Sequence, residues 1–138
     1  MTSQLNVDTI VDKAGSGGTN VKVANNAVAV AEGGAATTNV VQGLAKAWGH
    51  FEGGDTTLDD SLNTTSLLDH GSGDFKPNFG NNMASINYAG AFHATDTGIG
   101  SAVAGGYVTN GLRFYIRTSA FGLIDKDDTT YIVNGDLA

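Results

Sequence analysis

A chain of 138 residues is long enough for about one domain with a moderate core. Its formal net charge of −7 offers no basic face to phosphate groups, so direct nucleic-acid binding is not expected. The chain has no cysteine, which excludes disulfides, thiolate nucleophiles and cysteine-ligated metals. With 20 glycines and only 8% aromatic residues, it has few large side chains for a core, and we expect neighbouring subunits to supply part of its stability.

The first 44 residues predict an extended N-terminal segment. They begin without a basic region or a long apolar run, so neither a signal peptide nor membrane insertion is expected. Short valine alternations on either side of Asn25-Asn26 predict two small strands, and residues 32–39 are typical of a linker. A two-stranded ribbon is marginal alone, so this segment is expected to contact other copies or a larger partner. Its candidate anchoring and oligomer-contact residues are Leu5, Val7, Ile10, Val11, Val21, Val23, Val28 and Val30.

Residues 45–138 predict the folded domain. Phe75, Pro77 and Phe79 alternate on one face, and Pro77 indicates an edge strand or a bulge because it cannot donate a ladder hydrogen bond. Further alternation predicts strands over residues 85–94, 112–118 and 131–133, with a glycine-rich loop over residues 95–106.

The sequence shows no sustained helical period, and its short strands are separated by Gly, Asn and Asp turns. The predicted fold class is therefore all-β, a small antiparallel β-sandwich of jelly-roll type with an extended N-terminal arm. Threefold assembly would cover the sheet edges that such a sandwich exposes. The predicted core residues are Trp48, Phe51, Phe75, Phe79, Ile86, Tyr88, Phe92, Phe114 and Ile116.

Trp48 and Phe51 have opposite parity along a regular strand, so either a bulge separates them or one ring faces a neighbouring molecule. Burial of Trp48 in its own core is the favoured interpretation, since large rings are usually buried. Residues 52–74 then carry six acidic and no basic side chains, which predicts an acidic edge or loop system.

A set of core and turn residues marks the middle of the chain and both of its ends: Lys46-Ala-Trp-x-x-Phe51, Asn63-x-x-Ser66, Gly71-x-Gly-Asp-Phe75-x-x-Asn-Phe79, Met83, Asn87-Tyr88, Leu5-Asn-Val-Asp-Thr-Ile10 and Gly135-Asp-Leu-Ala138. This set resembles a pattern in tail-fibre-like virion proteins of bacteriophages, especially marine ones. The sequence departs from that pattern at Gly49, His50 and Pro77. The resemblance implies a trimeric, non-enzymatic structural protein on the virion surface, assembled in the host cytoplasm.

Candidate reaction centres are weak in this sequence. Asp125-x-Asp127-Asp128 begins like a calcium loop but lacks the glycine and the terminal glutamate of an EF-hand, so a solvated turn is the simpler interpretation. Asp59 and Asp60 are adjacent and would point to opposite faces of a strand, which does not favour a paired-carboxylate hydrolase. We therefore expect no enzyme activity, no bound metal and no cofactor.

Arg113 and Arg117 share a face of one predicted strand, with Tyr115 between them. They would bind an anionic sugar or pair with the acidic residues 52–74 of a neighbouring subunit, and the complementary charges favour the second interpretation. The resemblance to phage fibre proteins, with these charges, therefore implies a trimeric surface appendage, either a capsid decoration or head fibre or a short tail fibre, that contacts itself and other virion proteins. The alternative is a host-glycan-binding module of a receptor-binding tail fibre.

Overall fold

The computed structural model describes residues 28–30 and 37–138. The chain divides into two units, Met1–Val41 and Gln42–Ala138. In the first unit, β1 (Val28–Val30) pairs antiparallel with β2 (Thr37–Asn39). Thr37–Asn39 is therefore strand where the sequence predicted a linker. Val28 is 52% exposed, and the other predicted anchor residues from Leu5 to Val23 lie outside the described part of the chain.

The remaining elements are one short helix and eight strands: α1 (Val40–Gly43), β3 (Ala45–Phe51), β4 (Leu58–Leu62), β5 (Thr64–Asp69), β6 (Asp74–Phe79), β7 (Ala89–His93), β8 (Ile99–Val108), β9 (Gly111–Arg117) and β10 (Thr129–Asn134). The strands form two four-stranded antiparallel sheets. We call the sheet with order β4-β3-β10-β7 sheet I and the sheet with order β5-β6-β9-β8 sheet II. The all-β prediction is confirmed.

Side chains from the inner faces of both sheets form one core. Phe51 of sheet I meets Phe75 of sheet II edge to face, with ring centroids 5.0 Å apart. Phe92 of sheet I stacks on Phe114 of sheet II at 4.5 Å. These ring pairs tie the sheets together, since aromatic contacts contribute about 0.5–1.5 kcal/mol beyond their burial. The buried apolar residues are Ala47, Phe51, Phe75, Phe79, Met83, Tyr88, Ala94, Leu112, Phe114, Ile116, Tyr131 and Val133.

Two predicted core residues lie elsewhere. Ile86 is 57% exposed because the strand predicted over residues 85–94 begins only at Ala89, and the amide of Asn87 bonds the Ser85 hydroxyl in a local turn instead. Trp48 is only half-buried and lies on the opposite face of β3 from Phe51. The preference for burying Trp48 in its own core was therefore wrong.

The other two departures concern Pro77 and the glycine-rich stretch. β6 lies between β5 and β9, so Pro77 is in an interior strand rather than at an edge. Pairing of β6 with β9 stops between Phe75 and Asn78, which is where Pro77 cannot donate. Residues 99–108 form β8 rather than a loop, and a Cβ on Gly100 would lie 2.4 Å from that of Phe92, so this glycine permits close approach of the sheets.

The chain crosses from sheet I to sheet II at Asn63, the single residue between β4 and β5. Asn63 has a φ of +55°, which asparagine tolerates better than most residues. Its Nδ2 donates to the carbonyl of Lys46 at 2.9 Å, and its Oδ1 accepts from the amide of Asn81 at 2.6 Å. The side chain therefore fixes the corner to β3 on one side and to the segment after β6 on the other.

Candidate functional site

The outward face of sheet I carries two neighbouring rows of side chains. Strand register places Trp48 opposite both Leu62 and Ile132, and Ile132 opposite Ala91, which makes an apolar row across all four strands. A second row lies two residues away along the same strands. In it, Thr130 lies opposite both His50 and His93, and His50 lies opposite Asp60, which makes a polar row. The rows share one face because alternate residues of a strand point to the same side.

A pocket of about 360 Å³ opens over the middle of this face. It is lined by residues of β3, β7 and β10, including Trp48, His50, His93 and Ile132. Since β3 and β10 are the two inner strands of sheet I, the pocket lies over the best-supported part of the sheet. Its volume lies within the range usual for small-ligand sites, about 300–1,000 Å³.

The floor of the pocket depends on Gly49. A Cβ on Gly49 would lie 2.6 Å from Cε1 of Tyr131, its cross-strand partner. The absence of a side chain lets the Tyr131 ring lie across β3, and the Tyr131 hydroxyl bonds the Thr64 hydroxyl at the start of β5. Burial raises the pKa of Tyr131 to about 12. Gly49 thus makes room for a contact that joins the two sheets.

Carboxylates surround His50. A bulge between His50 and Phe51 in the β3–β4 pairing brings Asp59 beside the imidazole, and Oδ2 of Asp59 lies 3.4 Å from Nδ1. On the other side, Oδ1 of Asp128 lies 3.2 Å from Nε2. A carboxylate therefore lies beside each ring nitrogen of His50 and orients its imidazole at the pocket.

The same end of sheet I concentrates negative charge. The pKa of Glu52 is raised above its ordinary value, mainly by the charge of Asp55 and then by those of Asp127 and Asp59. Together with Asp128 these residues form an acidic rim, defined here as Glu52, Asp55, Asp59, Asp127 and Asp128. The rim repels anions from the pocket, and its field is strongest at low salt.

The residues considered as metal ligands do not converge. Residues 28–30 and 37–138 contain no group of three His, Asp or Glu side chains able to hold a metal ion. The Asp125 carboxylate instead accepts hydrogen bonds from the amide of Gly73 at 2.7 Å and from the hydroxyl of Ser72 at 3.1 Å. Asp125 therefore stabilises the turn between β5 and β6.

The two arginines differ in their partners. Arg113 donates Nε and Nη2 to the two oxygens of Asp74, at 2.8 and 2.6 Å, within the same chain. This bond raises the pKa of Arg113. Arg117 lies over the Tyr115 ring at 4.5 Å and donates to the carbonyl of Phe121. Both arginines are on the outward face of sheet II.

Sequence reasoning missed the pocket, although its signal was present. Ala47, Gly49 and Phe51 face the core, so Trp48 and His50 must face outward, and Ile132 does so between Tyr131 and Val133. The opposite parity of Trp48 and Phe51 pointed to this face. Register, which the sequence does not give, then places residues from three separate strands side by side.

No protein-family model, curated protein or solved structure matches the chain. Within the described ranges, no helix is long and apolar enough to cross a membrane.

Proposed function

We propose that this chain is a non-enzymatic structural protein of a bacteriophage particle, a homotrimer whose residues 1–44 attach a β-sandwich to the virion. It forms a capsid decoration, a head fibre or a short tail fibre. The observation that carries the proposal is the position of the residues that resemble the phage pattern. Of those that the structure describes, Asn63 lies at the corner between the two sheets, and Phe51, Phe75 and Phe79 lie in the core between them.

Three hydrogen bonds made by residues of the pattern support a structural role. Asn63 fixes the corner between β4 and β5 through its bonds to Lys46 and Asn81. Asn78 donates to the Ser66 hydroxyl at 2.9 Å across β5 and β6. A pattern built from such residues specifies a rigid scaffold rather than a reaction centre.

The trimer is supported by the open edges of the sandwich. Sheet I ends at β4 and β7, and sheet II ends at β5 and β8. Edge strands with free backbone groups invite pairing unless they are covered, and contacts between three copies would cover some of them. Arg117 is the arginine proposed to pair with acidic residues of a neighbouring subunit, because Arg113 is already held by its own Asp74.

Deletion of residues 1–31 tests the anchoring role. The truncated chain is expected to keep its β-sheet circular dichroism but to join particles poorly, while the full chain is incorporated. Sedimentation of both forms measures the trimer directly. Normal incorporation of the truncated chain would show that the N-terminal segment is not the anchor.

A second candidate function, a host-glycan-binding module of a receptor-binding fibre, is favoured by the pocket on sheet I. Trp48 lines that pocket and offers its ring to a sugar. Two half-buried tyrosines that could also stack on a glycan are already in contact with other side chains: Tyr115 lies beneath Arg117, and Tyr107 packs on the Tyr88 ring at 5.0 Å. A glycan array with the full chain tests this function. Specific binding supports it, and the absence of any binding at high protein concentration removes it.

A further inference from the structure

The pocket on sheet I has an apolar half and a polar half, and this division matches the two kinds of surface on a sugar. We propose that it is a saccharide-binding site that accepts neutral or amine-bearing sugars and rejects anionic ones. The proposal rests on the second of the two functions above and names the site and the ligand class for it.

The apolar half provides a stacking surface. Trp48 is half-buried and Ile132 is 43% exposed, so both offer apolar surface to a ligand without leaving the sheet. The C–H groups on one face of a sugar ring pack well on an aromatic surface, and an indole provides the largest one. Ala91 completes the row with a small side chain that leaves space above it.

The polar half provides hydrogen bonds. Between residues 37 and 138, no hydrogen bond or ion pair engages the Thr130 hydroxyl or the His93 imidazole, and both groups lie at the pocket. Their donors and acceptors are available to sugar hydroxyls. His50 is the neighbour of Thr130 in this row, and its imidazole lies between the carboxylates of Asp59 and Asp128.

Charge selects among sugars. The acidic rim lies beside the polar row, since Asp59 and Asp128 both contact His50. A uronic acid, sialic acid or sugar phosphate in the pocket would place its charge within about one Debye length of these carboxylates, roughly 8–10 Å at moderate salt. Neutral sugars avoid this repulsion, and amino sugars are attracted.

The pocket is also held in shape before a ligand arrives. The Tyr131 ring lies across Gly49 beneath it, and the Tyr131 hydroxyl is anchored to Thr64 of the other sheet. A preformed site avoids the entropic cost of ordering side chains on binding.

Trp48 is the single tryptophan of the chain, so its indole N–H resonance reports on this pocket alone. The full chain would be titrated with three oligosaccharides of equal length, built from glucose, glucosamine or glucuronic acid, and the best ligands from a glycan array would follow. The neutral and amine-bearing probes are expected to shift the Trp48 resonance, and the uronate is not. Ile132→Arg should weaken binding by about tenfold or more. Ile86→Arg, the same change at an exposed isoleucine outside sheet I, should leave it unchanged.

Each result has a distinct meaning. If the chain binds array glycans, but Ile132→Arg does not weaken this binding and the Trp48 resonance does not shift, the glycan-binding function stands and this site is wrong. The absence of binding to any array glycan, with no Trp48 shift, would overturn both. Preference for the uronate would refute the assigned selectivity. A Trp48 shift caused only by a lysine-containing apolar peptide would overturn the saccharide assignment in favour of a protein partner.

Discussion

Replacing Asn63 by alanine should destabilise the sandwich more than its half-buried position suggests. Asn63 is the only residue between β4 in sheet I and β5 in sheet II, and its φ is +55°. Alanine in the left-handed region costs about 1 kcal/mol or more. The side chain also donates to the Lys46 carbonyl and accepts from the Asn81 amide. Each lost hydrogen bond costs about 1 kcal/mol.

The expected loss for Asn63→Ala is therefore about 3 kcal/mol, a large share of the 5–15 kcal/mol typical of a whole domain. Guanidinium unfolding followed by Trp48 fluorescence measures it, because Trp48 pairs with Leu62, the residue before the corner. Asn63→Gly separates the two causes. Glycine accepts the positive φ but makes no side-chain hydrogen bonds, so it should lose about 2 kcal/mol.

Phe121→Ala is the matched control. Phe121 also has a positive φ, at +66°, but its side chain is 75% exposed. Its replacement should change stability by less than about 0.5 kcal/mol. If Asn63→Ala falls within the same narrow range, the amide does not hold the corner, and the account of how the sheets are joined is wrong.

Three further predictions follow from contacts between the sheets and on sheet II. Gly49→Ala should cost about 1–3 kcal/mol in unfolding experiments because its Cβ would overlap the Tyr131 ring, whereas Gly54→Ala, with nothing within 4 Å, should not. Burial raises the pKa of both Tyr131 and Tyr88 to about 12, so the unfolded chain loses these protons first, and stability should fall between pH 10 and 12, with up to about 3 kcal/mol of the fall due to Tyr131. Tyr131→Phe should reduce this fall, and an unchanged pH profile would refute the assignment. Arg113→Lys keeps the charge but loses the two-point bond to Asp74, and should lower the midpoint of thermal or denaturant unfolding; no change would mean that the bond contributes nothing.

The strands that alternate cleanly were predictable from the sequence. Leu112, Phe114 and Ile116 all face the core from β9, as their spacing indicated. The same holds for Phe75 and Phe79 in β6. In these segments the apolar residues that alternate along the strand are also the buried ones, so the local pattern was sufficient to predict which side chains face the core.

Prediction failed where a tertiary contact overrides the local pattern. Residues 99–108 have a loop-like composition, but glycines are needed there because the Phe92 side chain lies against Gly100. Ile86 continues an apparent alternation into a segment that the Ser85–Asn87 turn removes from the sheet. Asn63 appeared only as one polar position of a loose pattern, and nothing local indicates that its amide joins two sheets.

Only the outward orientation of the pocket residues could be predicted from the sequence, for a related reason. The rows of the pocket exist only because Trp48, Ile132 and Ala91 share a register across three strands that are distant in the chain. Parity predicts which residues face outward. It does not predict which outward residues become neighbours.

Cryo-electron microscopy of the intact phage particle tests the central claim most directly. If the proposed function is right, threefold density of β-sandwich size is expected at the particle surface, joined to the capsid or tail through the N-terminal segment. Density at capsid threefold or quasi-threefold positions would identify a decoration or head-fibre protein, and density at the tail would identify a fibre component. Purified particles that contain no copy of this chain, by density or by mass spectrometry, would contradict the claim.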